Sequence, residues 1–168
     1  AAVASMRYPP EGVRAMSACG RASRFGTDEG YARKANRGLA LIVQLETLQA
    51  IGRLESIAAV PGVDAIFIGP AELSAAMGHV GQPIHPEVMD LVADVVQRCK
   101  AIGKPVGAFG ATPEVVAEYR AIGFDFVAIA SDLALLIRGA KEAIAALKSQ
   151  ERMHVHTLAS GTQTGSER

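Results

Sequence analysis

An α/β fold built on a parallel sheet is what this sequence predicts, from two observations. Four short apolar runs, "LALIVQLE", "VDAIFIG", "PVGAFG" and "FDFVAIA", are each followed by a stretch of helical periodicity. Glycine, proline or a capping residue marks most of the junctions between them. Strand–helix units in strict succession imply parallel strands joined by right-handed crossovers.

The elements follow in order. "AAVASMRYPP" reads as the middle of a helix running into a loop, and the opening region through residue 38 is loop-like. The first strand spans 39–46, and its continuous apolar character suits burial on both faces. In "TLQAIGRLESIAAV", Leu48, Ile51, Leu54 and Ile57 recur at helical spacing and predict one helix. The second strand, 63–69, runs into Gly69-Pro70 and a short helical segment. The next helix starts near Pro86, carries a stripe of Val88, Leu91, Val92, Val95, Val96, Cys99 and Ile102, and stops at Gly103. The third strand is 105–110. Thr112 caps a helix with Pro113 at its first position, which runs to Gly123. The fourth strand is 124–130, and Ser131 caps a last helix through Leu135, Leu136, Ala140, Ile144 and Leu147. Four βα units therefore cover 39–148. Residues 149–168 lose periodicity, turn polar and read as a disordered tail.

Composition narrows the function. At 168 residues with 49% hydrophobic side chains, the chain can bury the core of one domain. Its 17 basic and 17 acidic residues balance without a like-charge run. Nucleic acid and anionic membranes favour a net basic face, so neither is expected as a partner. Two cysteines, Cys19 and Cys99, have neither disulfide-framework nor metal spacing, and Cys99 is expected to be a small buried hydrophobe. No apolar stretch approaches the roughly 18 residues of a membrane span, and no signal peptide is visible, so a cytoplasmic location is expected. The chain begins with Ala1 rather than Met and reads as a fragment.

Two closures suit four parallel units: an open doubly wound sheet, or part of an eight-stranded barrel. No G-x-G-x-x-G or P-loop follows any strand, which weakens a nucleotide-binding sheet. In a barrel, chemistry gathers at the C-terminal strand ends. Glu46 ends the first strand and Glu72 lies just beyond the second, which favours the barrel. Neighbouring strands lie about 5 Å apart, and two carboxylates that close repel unless something positive sits with them. Spacing alone leaves both carboxylates free to be solvated, paired with Arg or Lys, or bound to a hard divalent cation. The turn at Gly69-Pro70 presents the amides of Ala71 and Glu72 at a helix start, where a carboxylate or phosphate could sit or where there is only a turn.

The segments "RYPPEGVR", "ASRFG", "VQLET", "FIGPAELSAAMGHVGQPIHPEV" and "GKPVGAF" together resemble the HpcH/HpaI aldolase family over about residues 1–148. Its members include 4-hydroxy-2-oxoheptanedioate and 2-keto-3-deoxy sugar acid aldolases. The resemblance implies the C-terminal half of a (β/α)₈ TIM barrel. It also implies a lyase that makes or breaks a carbon–carbon bond between pyruvate and an aldehyde, with 4-hydroxy-2-keto acids as substrates. A divalent metal (Mg²⁺, Mn²⁺ or Co²⁺) and a homo-oligomer are implied for the full-length protein. By position, Glu46 matches the metal-binding Glu, and Glu72 falls where the family usually has Asp. Gln44 resembles a position near metal and substrate. Gly69, Pro70 and the amides of Ala71 and Glu72 resemble the segment that holds the pyruvate carboxylate.

The family's general-base His and substrate-polarising Arg lie before the matching region, so no catalytic residue is identified here. His79 and His85 read as solvated or capping loop residues, and His154 and His156 fall in the tail. Arg7, Arg14, Arg21 and Arg24 read as surface or subunit contacts. The chain is thus expected to carry the metal half of a site and to be inactive alone. The rivals are a lyase of the citrate lyase β and malyl-CoA lyase group, which uses acyl-CoA, and a half-barrel that only associates. No basic patch for a CoA phosphate is visible.

Overall fold

The computed structural model describes residues 1–17 and 19–161, with residues 151–161 described by backbone alone. They form two compact units, 1–129 and 130 onward.

In the first unit, β1 (Ile42–Leu45), β2 (Ala65–Ile68), β3 (Val106–Phe109) and β4 (Phe126–Ala128) make one parallel sheet in the order β1-β2-β3-β4. Sequential order in a parallel sheet is the topology of consecutive βα units. Two aspartates stitch the strand starts together. Asp64 accepts the Leu41 N–H at 2.7 Å, and Asp125 accepts the Val106 N–H at 2.8 Å. Each sits just before one strand and binds the start of its neighbour.

Register sorts the side chains. Leu45, Ile66, Ile68, Val106 and Ala108 are buried on the helix-covered face. The other face carries Gln44, Phe67, Gly107 and Phe126 in one row across all four strands. Phe67 and Phe126 approach over that row, with ring centroids 6.1 Å apart. Gly107 lies between them, and a Cβ there would collide with the Phe126 ring.

The helix expected over 47–60 is broken into α3 (Leu48–Ile51) and α4 (Leu54–Ala58). The break falls at Gly52-Arg53, where Gly52 ends α3, so the apolar spacing survives while the hydrogen-bond ladder does not. Thr47 caps α3 by accepting the Ala50 N–H at 3.1 Å. The Gly69-Pro70 turn leads into α5 (Pro70–Ala76). The long helix α6 (Pro86–Ala101) buries Val88, Val92, Val95, Val96 and Cys99, each buried aliphatic contributing up to about 1.5–3 kcal/mol. Burial pushes the Cys99 thiol up to about 11, as suits an inert core residue. The next helix, α7 (Pro113–Ile122), is capped by Thr112, which accepts the Val115 N–H at 3.4 Å.

The opening region is less loop-like than expected. It holds the helices α1 (Ala2–Met6) and α2 (Tyr31–Lys34) and two 3₁₀ turns. Arg7 pairs with Glu11 at 3.3 Å, and Arg14 stacks 4.7 Å above the Tyr8 ring.

In the second unit, α8 (Asp132–Gly161) is capped by Ser131, whose hydroxyl accepts the Ala134 N–H at 3.1 Å. The disordered tail expected from residue 149 is corrected here: the helical backbone continues to Gly161, and residues 162–168 lie outside the described residues. Glu, Arg, Met, Leu and Ala are good helix formers and can extend a helix without an apolar stripe. Among the described residues no helix is long and apolar enough to cross a membrane.

An Arg98-centred cluster ties α6 to the α3–α4 region. Its guanidinium donates to Glu55 at 2.7 and 2.8 Å and to the Ile51 carbonyl at 3.0 Å. This partner holds the Glu55 carboxyl down at about 2, from 4.5. A depressed carboxylate stabilises the fold fully above about 4.5, and that contribution is lost as pH falls toward 2. Glu55→Gln should therefore flatten the acid side of the stability profile in that window, measured as urea midpoint against pH, and leave its neutral-to-basic shape unchanged.

Packing at Gly107 yields a second expectation. Gly107→Ala should cost about 1–3 kcal/mol, since the Phe126 ring must move aside. In a Phe126→Ala background the same change should cost much less. Equal costs in the two backgrounds, by urea unfolding, would show that the ring contact is not the cause.

Candidate functional site

The exits of β1 and β2 build the site. Leu45 pairs with Ile68 in register, so the next residues, Glu46 and Gly69, face each other. The Gly69 N–H donates to the Leu45 carbonyl at 3.2 Å and locks the two exits together. Pro70 then starts α5, whose first turn carries Glu72. A helix start suits a carboxylate, because the dipole there is positive.

Three side chains converge on Gly69. A Cβ at this position would lie 2.6 Å from Glu72 Oε2, 3.1 Å from Gln44 Nε2 and 3.2 Å from Glu46 Cβ. Gln44 and Glu46 alternate to the same face of β1, and the Gln44 amide donates to Glu46 Oε2 at 3.0 Å. The structure thus brings together Gln44, Glu46, Gly69 and Glu72. Pro70 and Ala71 border the same opening. Helix geometry leaves the first N–H groups of α5, those of Ala71 and Glu72, without intrahelical acceptors.

One of the alternatives left by the sequence is now excluded. Among the described residues, neither Glu46 nor Glu72 forms an ion pair with Lys or Arg. Two carboxylates therefore approach one strand-end turn, and a neutral amide, that of Gln44, is the hydrogen-bond donor to Glu46. Oxygen donors in this arrangement suit a hard divalent cation.

The opening is one end of a cleft of about 370 Å³. Gln44 and Glu72 make its polar end, while Phe67, Pro83, Phe109 and Tyr119 make an apolar wall. Burial pushes the Tyr119 hydroxyl up to about 12, so it stays protonated at neutral pH. No His, Arg or Lys lines the cleft among the described residues.

The histidines lie elsewhere. His85 caps α6, its Nδ1 accepting the Glu87 N–H at 3.4 Å, as the sequence suggested. His79 hydrogen-bonds Glu87 through Nε2 at 3.0 Å and stacks on His85 with ring centroids 3.6 Å apart. His79 beside it holds the Glu87 carboxyl below its usual range. Sequence reasoning missed Glu87 and the joining of the two histidines. The signal available was the H-x₅-H-P-E spacing of residues 79–87. His154 and His156 lie in the backbone-only part of α8.

Comparison with known proteins gives this geometry a context. The family model for HpcH/HpaI aldolase/citrate lyase matches residues 1–139. The chain is 48% identical over 151 residues to the 2-dehydro-3,6-dideoxy-6-sulfogluconate aldolase of Pseudomonas putida, covering 90% of this chain and 59% of that protein. It is 51% identical over 146 residues to the pyruvate aldolase of Rhizobium etli, covering 87% of this chain and 57% of that one. A crystal structure of an HpcH/HpaI aldolase/citrate lyase family protein from Burkholderia cenocepacia superposes with a TM-score of 0.75 at 35% identity, over 88% of this chain and 59% of the other. The chain therefore spans somewhat under three fifths of the length of these relatives. Its four parallel βα units are a half-barrel of the TIM-barrel fold, and its homologues are carbon–carbon lyases. On the family-model match over residues 1–139 and the identity to these relatives, the chain belongs to the HpcH/HpaI aldolase/citrate lyase family.

Proposed function

We propose that the protein carrying this chain is a class II aldolase that makes or breaks the carbon–carbon bond between pyruvate and an aldehyde, with 4-hydroxy-2-keto acids as substrates. The observation that carries this reading is the convergence of Glu46, Glu72 and Gln44 on Gly69 at the mouth of the cleft. Similarity to a pyruvate aldolase supports the keto-acid half of the reaction.

In this reading Glu46 and Glu72 hold one Mg²⁺, Mn²⁺ or Co²⁺ ion, and Gln44 orients the Glu46 carboxylate. The cradle over Gly69 is open because position 69 has no side chain, and its oxygen donors fit such an ion. When bound, a divalent cation supplies electrostatic stabilisation of the negative charge that develops on a keto acid. The free amides of Ala71 and Glu72 hold the keto acid's carboxylate, with Gly69-Pro70 shaping the turn that presents them. The apolar wall of the cleft excludes water beside the reacting carbons. The enzyme acts as a cytoplasmic homo-oligomer.

Cleavage also requires removal of the 4-hydroxyl proton as the bond breaks. A positioned base contributes roughly 10²–10⁴-fold. In this reading Glu72 is committed to the ion and no His, Lys or Arg lines the cleft among the described residues, so this group and a substrate-orienting Arg come from outside the lining seen here. A cleft without Lys or Arg also offers nothing to a CoA phosphate, which disfavours the acyl-CoA reading.

Two expectations test the proposal. Glu46→Gln in the full-length protein should abolish metal-dependent exchange of the pyruvate methyl protons and weaken Mn²⁺ binding, while Glu72→Asp should retain both. Unchanged exchange and Mn²⁺ affinity in Glu46→Gln would refute the assignment. The 168-residue chain alone, given Mn²⁺ and a 4-hydroxy-2-keto acid, should release no measurable pyruvate above the uncatalysed rate. Turnover comparable to an intact aldolase would mean that a complete proton-transfer apparatus resides in this chain.

A further inference from the structure

We propose that His79, His85 and Glu87 form a second metal site, selective for a borderline transition ion such as Zn²⁺, Ni²⁺ or Co²⁺ rather than Mg²⁺. The proposal does not depend on the function assigned above, since none of the three residues lines the Gly69 cleft.

The three groups are placed by backbone as well as by side chain. The His79 N–H donates to the Ser74 carbonyl at 2.7 Å, which anchors the loop to the end of α5. The Gln82 N–H donates to the His79 carbonyl, and the His85 N–H to the Gln82 carbonyl, both at 3.0 Å. This relay of turns carries His79 back to His85, the N-cap of α6, and Glu87 lies in that helix's first turn. One ligand atom from each residue lies within 4.8 Å of the others.

Two imidazoles and one carboxylate are a donor set that suits Zn²⁺ and its neighbours, whereas Mg²⁺ favours all-oxygen surroundings. In a tetrahedral site with ligand bonds near 2.0–2.1 Å, the donor atoms sit about 3.3 Å apart. The cluster must therefore contract. The Glu87 side chain is 68% exposed and can re-aim without disturbing the core. The stacked rings must tilt so that their ligating nitrogens converge and their far edges splay apart, which side-chain torsions at the loop surface allow. His85 Nδ1 accepts the Glu87 N–H at 3.4 Å, a long bond that costs little to exchange for a metal. Three protein ligands leave a fourth position for water.

Binding would clasp the loop between α5 and α6 onto the start of α6. That loop carries Pro83, part of the apolar wall of the cleft. A clasp here would hold one wall of the cleft without touching the carboxylates.

The test uses the full-length protein carrying Glu46→Gln, stripped of metal by chelation, so that the carboxylate pair contributes little. Titration with Co²⁺ should produce the intense visible bands of a four- or five-coordinate ion with nitrogen ligands, and one equivalent of Zn²⁺ should displace them. Adding His79→Gln or Glu87→Gln should lower Zn²⁺ affinity by about tenfold or more, since loss of even an outer-shell partner commonly costs 10–100-fold. His85 is left intact because it caps α6. Weak octahedral bands in the parent protein, absence of Zn²⁺ binding, or equal Zn²⁺ affinity in the His79→Gln and Glu87→Gln proteins would each overturn the proposal.

Discussion

A side chain missing from position 69 is the constraint on which the candidate site depends. Glu72, Gln44 and Glu46 each approach the space where a Cβ would stand, and the closest would-be contact is 2.6 Å. Real Cβ atoms are not found that close to a carboxylate oxygen, so any other residue would push the Glu72 carboxylate away. The same residue ends a strand, donates its N–H to Leu45 at 3.2 Å and precedes the proline that starts α5. Strand pairing, helix start and convergence of the two carboxylates all run through one backbone position.

The rest of the sheet serves to hold that position. Leu45 and Ile68, paired in register, are buried against the helices and fix both strand exits. A slip of one residue would turn Gln44 and Glu46 toward that buried face, where an ionised carboxylate costs far more than a side-chain amide can return. On the opposite face, Gly107 plays a packing role like that of Gly69. It makes room for Phe126 beside Phe67, so both aromatic rings share one row with Gln44.

Much of this was legible in the residues themselves. The four strands are short apolar runs with clear ends, and Thr112 and Ser131 cap the helices that follow them, each accepting an N–H three residues on. The approach of Glu46 and Glu72 to the Gly69 turn was legible because both sit at strand exits, and consecutive parallel strands bring such exits together. The break at Gly52-Arg53 was not, since Leu48, Ile51, Leu54 and Ile57 keep helical spacing across it. Helical extension to Gly161 was missed for the opposite reason: helix-forming residues there lack the apolar stripe by which helices are recognised. The His79–His85–Glu87 cluster depends on two consecutive turns, and turn geometry is invisible to periodicity.

Both carboxylates are exposed, and what sets them apart is how little positive charge the described residues bring to them. Glu46 has the Gln44 amide as its hydrogen-bond donor, and Glu72 sits in the first turn of α5, where the helix dipole is favourable. Both are partial compensations: an amide is neutral, and a helix terminus carries about half a charge. Elsewhere in the same chain, carboxylates do find full partners. Glu55 meets Arg98, and Asp28 meets Lys34 at 2.9 Å. The fold thus neutralises several of its surface carboxylates and leaves these two, side by side at the mouth of a cleft, without a cation among the described residues. Two negative charges so placed, with no Lys or Arg paired to them among the described residues, are what the proposed metal reading requires, with a bound cation as the countercharge.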